Sequence, residues 1–136
     1  MNLVYEGENQ LICSAVRRTT EVLNSTFFQN HLMSNLSEEE SEHIKTLLNT
    51  IHQTNYNVYI KTYWNPFKRQ SITYDINTQS LNINIASLKK SRRIISKQLV
   101  KNYSLLQLNK IYGGQENGNL NKVLALRMSS LANYYA

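Results

Sequence analysis

The chain has 136 residues, of which 41% are hydrophobic and 18% charged, and its net charge is +6. That length supports one buried core and not two; the composition excludes an intrinsically disordered chain. There is no run of eighteen apolar residues and no charged-then-apolar leader, so the reading is of a chain with neither a spanning helix nor an ordinary signal peptide.

Residues 3–5 read as a short strand-like start closed by Gly7. From there Leu11, Ile12, Ala15, Val16, Thr19, Val22 and Leu23 recur at helical spacing, which predicts an amphipathic helix over 9–25. Cys13 falls on its apolar face and reads as a buried structural thiol. As the only cysteine it allows no internal disulfide and points to a reducing, cytoplasmic compartment, with secretion into a host cell as the alternative. Phe27, Phe28, Leu32, Met33 and Leu36 predict a further helical turn or two. Ser37 followed by Glu40 is a capping-box pattern opening a helix over 38–53, and Glu38, Glu39 and Glu42 complement its N-terminal dipole.

The period then changes to two. Tyr56, Val58, Ile60, Thr62 and Trp64 alternate with Asn57, Tyr59, Lys61 and Tyr63, which places Tyr56 and Trp64 on the core side and leaves Tyr59 and Tyr63, with Lys61, as aromatic contacts for a ligand. Pro66 ends the strand in a turn carrying Lys68 and Arg69. Ile72, Tyr74 and Ile76 form a second strand, Asn77 to Gln79 a turn, and Leu81, Ile83 and Ile85 a third, together an antiparallel meander. Ser87 is a plausible cap for a long helix over 88–112 ended by Gly113-Gly114. Its apolar stripe is Leu88, Ile95, Leu99, Tyr103 and Leu106, widened by Ile94, Val100, Leu105 and Leu108. A polar loop over 115–119 leads to a final helix marked by Leu120, Val123, Leu124, Met128, Leu131 and Tyr135. The fold class is therefore α+β in a single domain, 1–136: N-terminal helices, a small three-stranded antiparallel sheet, a long basic helix and a C-terminal helix.

The charge is segregated. Lys61 to Gln115 holds ten Lys or Arg against the single acid Asp75, a local +9, whereas the remainder carries five bases and eight acids. Lys89, Lys90, Arg92, Arg93, Lys97 and Lys101, supported by Lys68 and Arg69, are the candidate contacts to an anionic partner, nucleic acid or an acidic protein. A helix shaped for solubility alone usually mixes signs to gain i, i+4 pairs. Catalytic groups are sparse: His43 and His52 are nine apart, not the spacing that holds a metal on one helix face, and no Gly-rich phosphate loop is present. The expectation is a non-enzymatic domain that binds an anionic partner, above all nucleic acid (RNA), through the basic helix, with no cofactor, no metal and no catalytic residue, although a metal-independent nuclease built from Tyr, Lys and Arg would leave no signature.

The helix, three strands and basic-started helix over 38–108 resemble the double-stranded RNA-binding domain. That resemblance implies RNA phosphates gripped by Lys89, Lys90, Arg92 and Arg93. The small-residue run that packs the last helix in that family is replaced here by Ile94, Ile95, Leu99 and Val100. The stretch Lys97-Gln98-Leu99-Val100-Lys101, with Glu116-Asn117 downstream, resembles instead the active-site helix of bacterial-effector zincin metallopeptidases, whose HExxH motif holds zinc. Lysines at both ligand positions and glutamine at the base position imply a pseudoenzyme serving as a protein-interaction module.

Overall fold

Local signals decide where most helices begin. In a computed structural model that describes residues 2–53, 55–114 and 118–135, Asn9 caps helix α1 (Gln10–Leu23), its side chain accepting from the amide of Ile12. Ser25 caps α2 (Thr26–Leu32) in the same way. Helix α3 (Glu38–His52) opens on the expected capping box, in which Ser37 Oγ accepts from the Glu40 amide at 3.2 Å and Glu40 Oε1 accepts from the Ser37 amide at 3.0 Å.

The sheet departs from the expected meander. It has four strands, β1 (Asn2–Val4), β2 (Asn57–Tyr63), β3 (Ile72–Asp75) and β4 (Ser80–Asn84), in the order β1-β2-β4-β3. β1 and β4 both run parallel to β2, and the antiparallel pair is β3 with β4. The turn between β3 and β4 lies where expected: Asp75 Oδ1 accepts from the amides of Asn77 and Thr78, and Gln79 takes a left-handed φ of 48°. What the alternation could not reveal is that this hairpin inserts β4 between β2 and β3. Strand periodicity states which face of a strand is buried and is silent on which neighbour it pairs with.

Val58, Ile60, Ile72, Leu81 and Ile83 line the buried face of the sheet. Trp64 does not join them, because β2 ends at Tyr63 and the alternation no longer governs the next side chain; Trp64 is 70% exposed. Tyr56 is half-buried against the core, with Lys110 Nζ 4.8 Å from its ring centroid. Cys13, expected to be buried, is only partly so.

The long helix also starts later than its serine signals suggest. Ser87 ends a 3-10 turn (Ile85–Ser87) instead of capping a helix, and Ser91 caps α4 (Arg92–Tyr112), accepting from the Ile94 amide. Lys89 and Lys90 therefore precede the helix. Both serines satisfy the capping rule; the difference is that Ser87 is engaged by the β2–β3 loop. Gly113, with φ of 77°, ends α4 as expected.

α4 is not a stripe against a core but the core's centre. Ile95, Ser96, Leu99, Val100 and the whole run from Asn102 to Leu108 are buried, since α4 packs against α1, α3, the strands and, most extensively, α5 (Gly118–Tyr135). Several of its polar side chains find local partners, whereas the Tyr103 hydroxyl and Gln107 Nε2 are buried without one. Thr19 Oγ1 lies 2.9 Å from Ser96 Oγ at the α1 crossing, and Ser104 Oγ donates to the Val100 carbonyl and contacts Met128 Sδ of α5. Asn121 Nδ2 donates to Asn109 Oδ1, and Asn109 Nδ2 donates to Tyr74 Oη, joining α5, α4 and β3. Burial raises the Tyr103 phenol well above its ordinary value, and Tyr56 adds to the effect. Ile94, expected on the stripe, is exposed.

Two consequences are measurable. Leu99→Ala, which opens a cavity at the middle of the central helix, should lower stability by about 2–5 kcal/mol in urea unfolding. The Glu40 carboxyl is held below its ordinary value by its hydrogen bonds with Ser37 and, less strongly, by Arg127, whose Nη1 lies 3.2 Å from Glu40 Oε2. A depressed carboxylate stabilises above its unfolded pKa and loses that contribution as the pH falls through the folded one. The melting-temperature gap between the native chain and Glu40→Ala should therefore be widest near neutrality and narrow on acidification through the carboxylate range.

Candidate anion-binding groove

The eight candidate cations are all exposed and all fall between residues 68 and 101. Lys68 and Arg69 sit on the β2–β3 loop, Lys89 and Lys90 on the link into α4, Arg92 and Arg93 in the first turn of α4, and Lys97 and Lys101 one and two turns further on. Among the described residues the ion pairs are Arg18 with Glu21 and Arg127 with Glu40. None of the eight is in either.

The tertiary structure sorts them. Arg69, Lys89 and Lys101 converge on a groove of about 570 Å³ between β3 and α4. One wall is Gln70, Ser71, Ile72, Thr73 and Tyr74; the other is Gln98, Asn102 and Leu105 with Lys101. No carboxylate lines it. Arg93 is turned away, its Nη2 donating to the Asn133 carbonyl at 3.1 Å, where a cation meets the negative end of the α5 dipole. Lys68 lies over the Tyr63 ring at 5.7 Å. Lys90, Arg92 and Lys97 are exposed outside the groove lining. Of the two aromatic candidates, Tyr59 is exposed, whereas Tyr63 is half-buried with its hydroxyl enclosed and unpartnered.

The groove has a polar floor as well as a charged rim. β3 is an edge strand. Because the Asn84 amide donates to the Ser71 carbonyl, the antiparallel ladder turns the backbone groups of Ser71, Thr73 and Asp75 toward β4 and those of Ile72 and Tyr74 outward. Opposite them stands Gln98, whose side-chain oxygen is buried and accepts no hydrogen bond, which costs free energy. Gln98 and Lys101 are two of the three residues that stand at the peptidase-motif positions; the third, Lys97, is outside the lining. Among the described residues no group of three His, Cys, Asp or Glu could hold a metal ion. Glu116-Asn117, the downstream part of that resemblance, lies outside the described residues.

Asn84 builds the end of the groove, and the hydrophobic pattern gave no sign of it. It is fully buried at the end of β4, beneath the β2–β3 loop that crosses over it. Its Oδ1 accepts from the amides of Asn65 (2.9 Å) and Ala86 (3.2 Å), and its Nδ2 donates to the carbonyls of Asn65 (2.8 Å) and Lys68 (3.3 Å). Ser71 Oγ donates to the Ser87 carbonyl and Ser87 Oγ to the Gln70 carbonyl. One amide thus ties the loop bearing Lys68 and Arg69 to the link bearing Lys89.

The chain matches no protein-family model, no curated protein and no solved structure. The groove must be read from its own chemistry.

Removing the clamp leaves several backbone groups unpaired beneath the loop, each costing about 1–3 kcal/mol if it stays buried. Asn84→Ala should destabilise the chain by at least that much and raise hydrogen exchange at Asn65, Phe67 and Ala86 ahead of the α4 amides.

Proposed function

We propose that this chain is a non-enzymatic binding domain that takes an anionic partner in the β3–α4 groove, the best-matched partner being an acidic polypeptide segment in extended form. The observation that carries this reading is the meeting of Arg69, Lys89 and Lys101, with no carboxylate among the lining, beside an edge strand whose Ile72 and Tyr74 backbone groups face the same space. An added strand would bond to those groups, and its acidic side chains would reach the cations. The helix that runs under the edge strand carries Gln98 and Lys101 where a zincin would carry its base and a ligand. That placement supports an interaction module on a degenerate peptidase-like scaffold, since an ammonium group cannot ligate zinc.

Nucleic acid is the second reading, favoured by the exposed Tyr59 and Lys61 on the sheet and by Lys90, Arg92 and Lys97 outside the groove. RNA phosphates would engage these cations over a wider surface, including the positions that the RNA-binding resemblance singles out.

Fluorescence anisotropy with a labelled Asp- and Glu-rich peptide and with single-stranded RNA separates the two. The peptide should bind at low ionic strength, and the combined Arg69→Ala, Lys89→Ala and Lys101→Ala variant should bind it at least about tenfold more weakly. RNA binding that falls about one decade per decade of salt for each phosphate contact, and that depends on Arg92 and Lys97 more than on the groove, would select the second reading. Binding of neither probe would sink both.

A further inference from the structure

We propose that the end of the molecule formed by the β2–β3 loop and the β4–α4 link docks on an anionic lipid bilayer, with Trp64 and Phe67 entering the headgroup region. This goes beyond the groove, which opens along β3 and α4.

The first observation is apolar exposure at a fixed place. Trp64 is 70% and Phe67 93% exposed, and the link contributes exposed Ile85, with exposed Ile94 in the first turn of α4. Single exposed apolar side chains are ordinary on protein surfaces. Here three come from two adjoining segments and the fourth from the helical turn that follows, and the loop that carries the aromatics is ordered from beneath. Asn65 Oδ1 accepts from the Phe67 amide at 3.0 Å, the Lys68 amide donates to the Asn65 carbonyl, and the buried Asn84 side chain holds Asn65 and Lys68. The backbone presenting the aromatics is organised by folding, which lowers the ordering cost of any later contact.

The second observation is charge. Residues 64–71 and 84–92 contain Lys68, Arg69, Lys89, Lys90 and Arg92 and no Asp or Glu; Arg93, bonded to the Asn133 carbonyl, points elsewhere. An anionic leaflet attracts each cation held near it, and Trp is the side chain whose amphipathic ring settles at the headgroup level. The aliphatic Ile85 and Ile94 decide between partners: bases gain stacking from flat rings such as Trp64 and Phe67 but nothing comparable from Ile, whereas a lipid surface accepts all four. Among the described residues no helix is long and apolar enough to cross a membrane, so the contact is adsorption of a tip.

Trp64 is the only tryptophan in the chain, so its fluorescence reports on the tip without labelling. The intact chain should show a blue-shifted Trp64 emission and co-sediment with phosphatidylcholine vesicles that contain phosphatidylserine, and do neither with phosphatidylcholine alone. Phe67→Ala keeps the reporter and should shrink the shift. Trp64→Ala with Phe67→Ala should lower partitioning, read by sedimentation, at least about tenfold. Lys68→Gln and Arg69→Gln should each lower it about fivefold. Both aromatics are exposed, so these variants should melt like the native chain and Phe67→Ala should still bind the acidic peptide; failure of the membrane contact is thereby separated from failure of the groove. An emission maximum that stays put with phosphatidylserine vesicles, or one altered by RNA and not by those vesicles, would overturn the proposal.

Discussion

Everything in this fold is arranged around the burial of α4. A helix whose residues from Asn102 to Leu108 are all removed from water cannot be stabilised by one apolar face, and it needs partners on nearly every side. The sheet, α1, α3 and α5 supply them. The N-terminal half of α4 is the part left open on one flank, and the groove lined by Arg69, Lys89 and Lys101 lies there. The charges of Lys97 and Lys101 are affordable in that position because their heads stay in water while Leu99, on the opposite side, anchors the helix.

The same burial explains why the chain uses small hydroxyl and amide side chains inside. Ser96 against Thr19, Ser104 against Met128, and Asn109 between Tyr74 and Asn121 let helices approach closely while pairing the polar atoms at these crossings, with the exception of Asn121 Oδ1, which is buried without a partner. Asn84 does for the loop what these do for the helices. By bonding to Asn65, Lys68 and Ala86 at once, it couples the end of the parallel pair to the start of the groove. The loop that carries Arg69 and the link that carries Lys89 are thus both tied to one buried side chain.

Much of the local structure was legible in the chain. Ser37 with Glu40, the helical spacing through Leu23, and the Gly113 stop all act over a few residues, and each lies where its signal places it. Errors arose where two segments compete for one role. Ser87 and Ser91 are equally good caps, and the competition was decided by Gln70 and Ser71 of a distant loop. Trp64 continues the alternation of β2 on paper, yet the strand stops one residue earlier. The eight cations were all identifiable from the sequence. Their division into three that share the groove, one that faces the C-terminal end of α5, and the rest was not, because charge carries no periodicity that tells direction.

The sequence by itself determined the α+β class, the order of elements, the segregation of positive charge into the second half and the absence of a zinc-binding HExxH register at 97–101. These follow from local propensities and from residue chemistry, which need no partner. The tertiary structure alone decided that β1 joins the sheet, that β4 lies between β2 and β3, and that β3 is left as a free edge beside Lys101. Those outcomes rest on pairings across long stretches of chain, such as Leu3 with Val58 and Thr62 with Ile83. In such pairings the backbone hydrogen bonds are the same for any residue type, and the choice of partner is made by how the whole core packs.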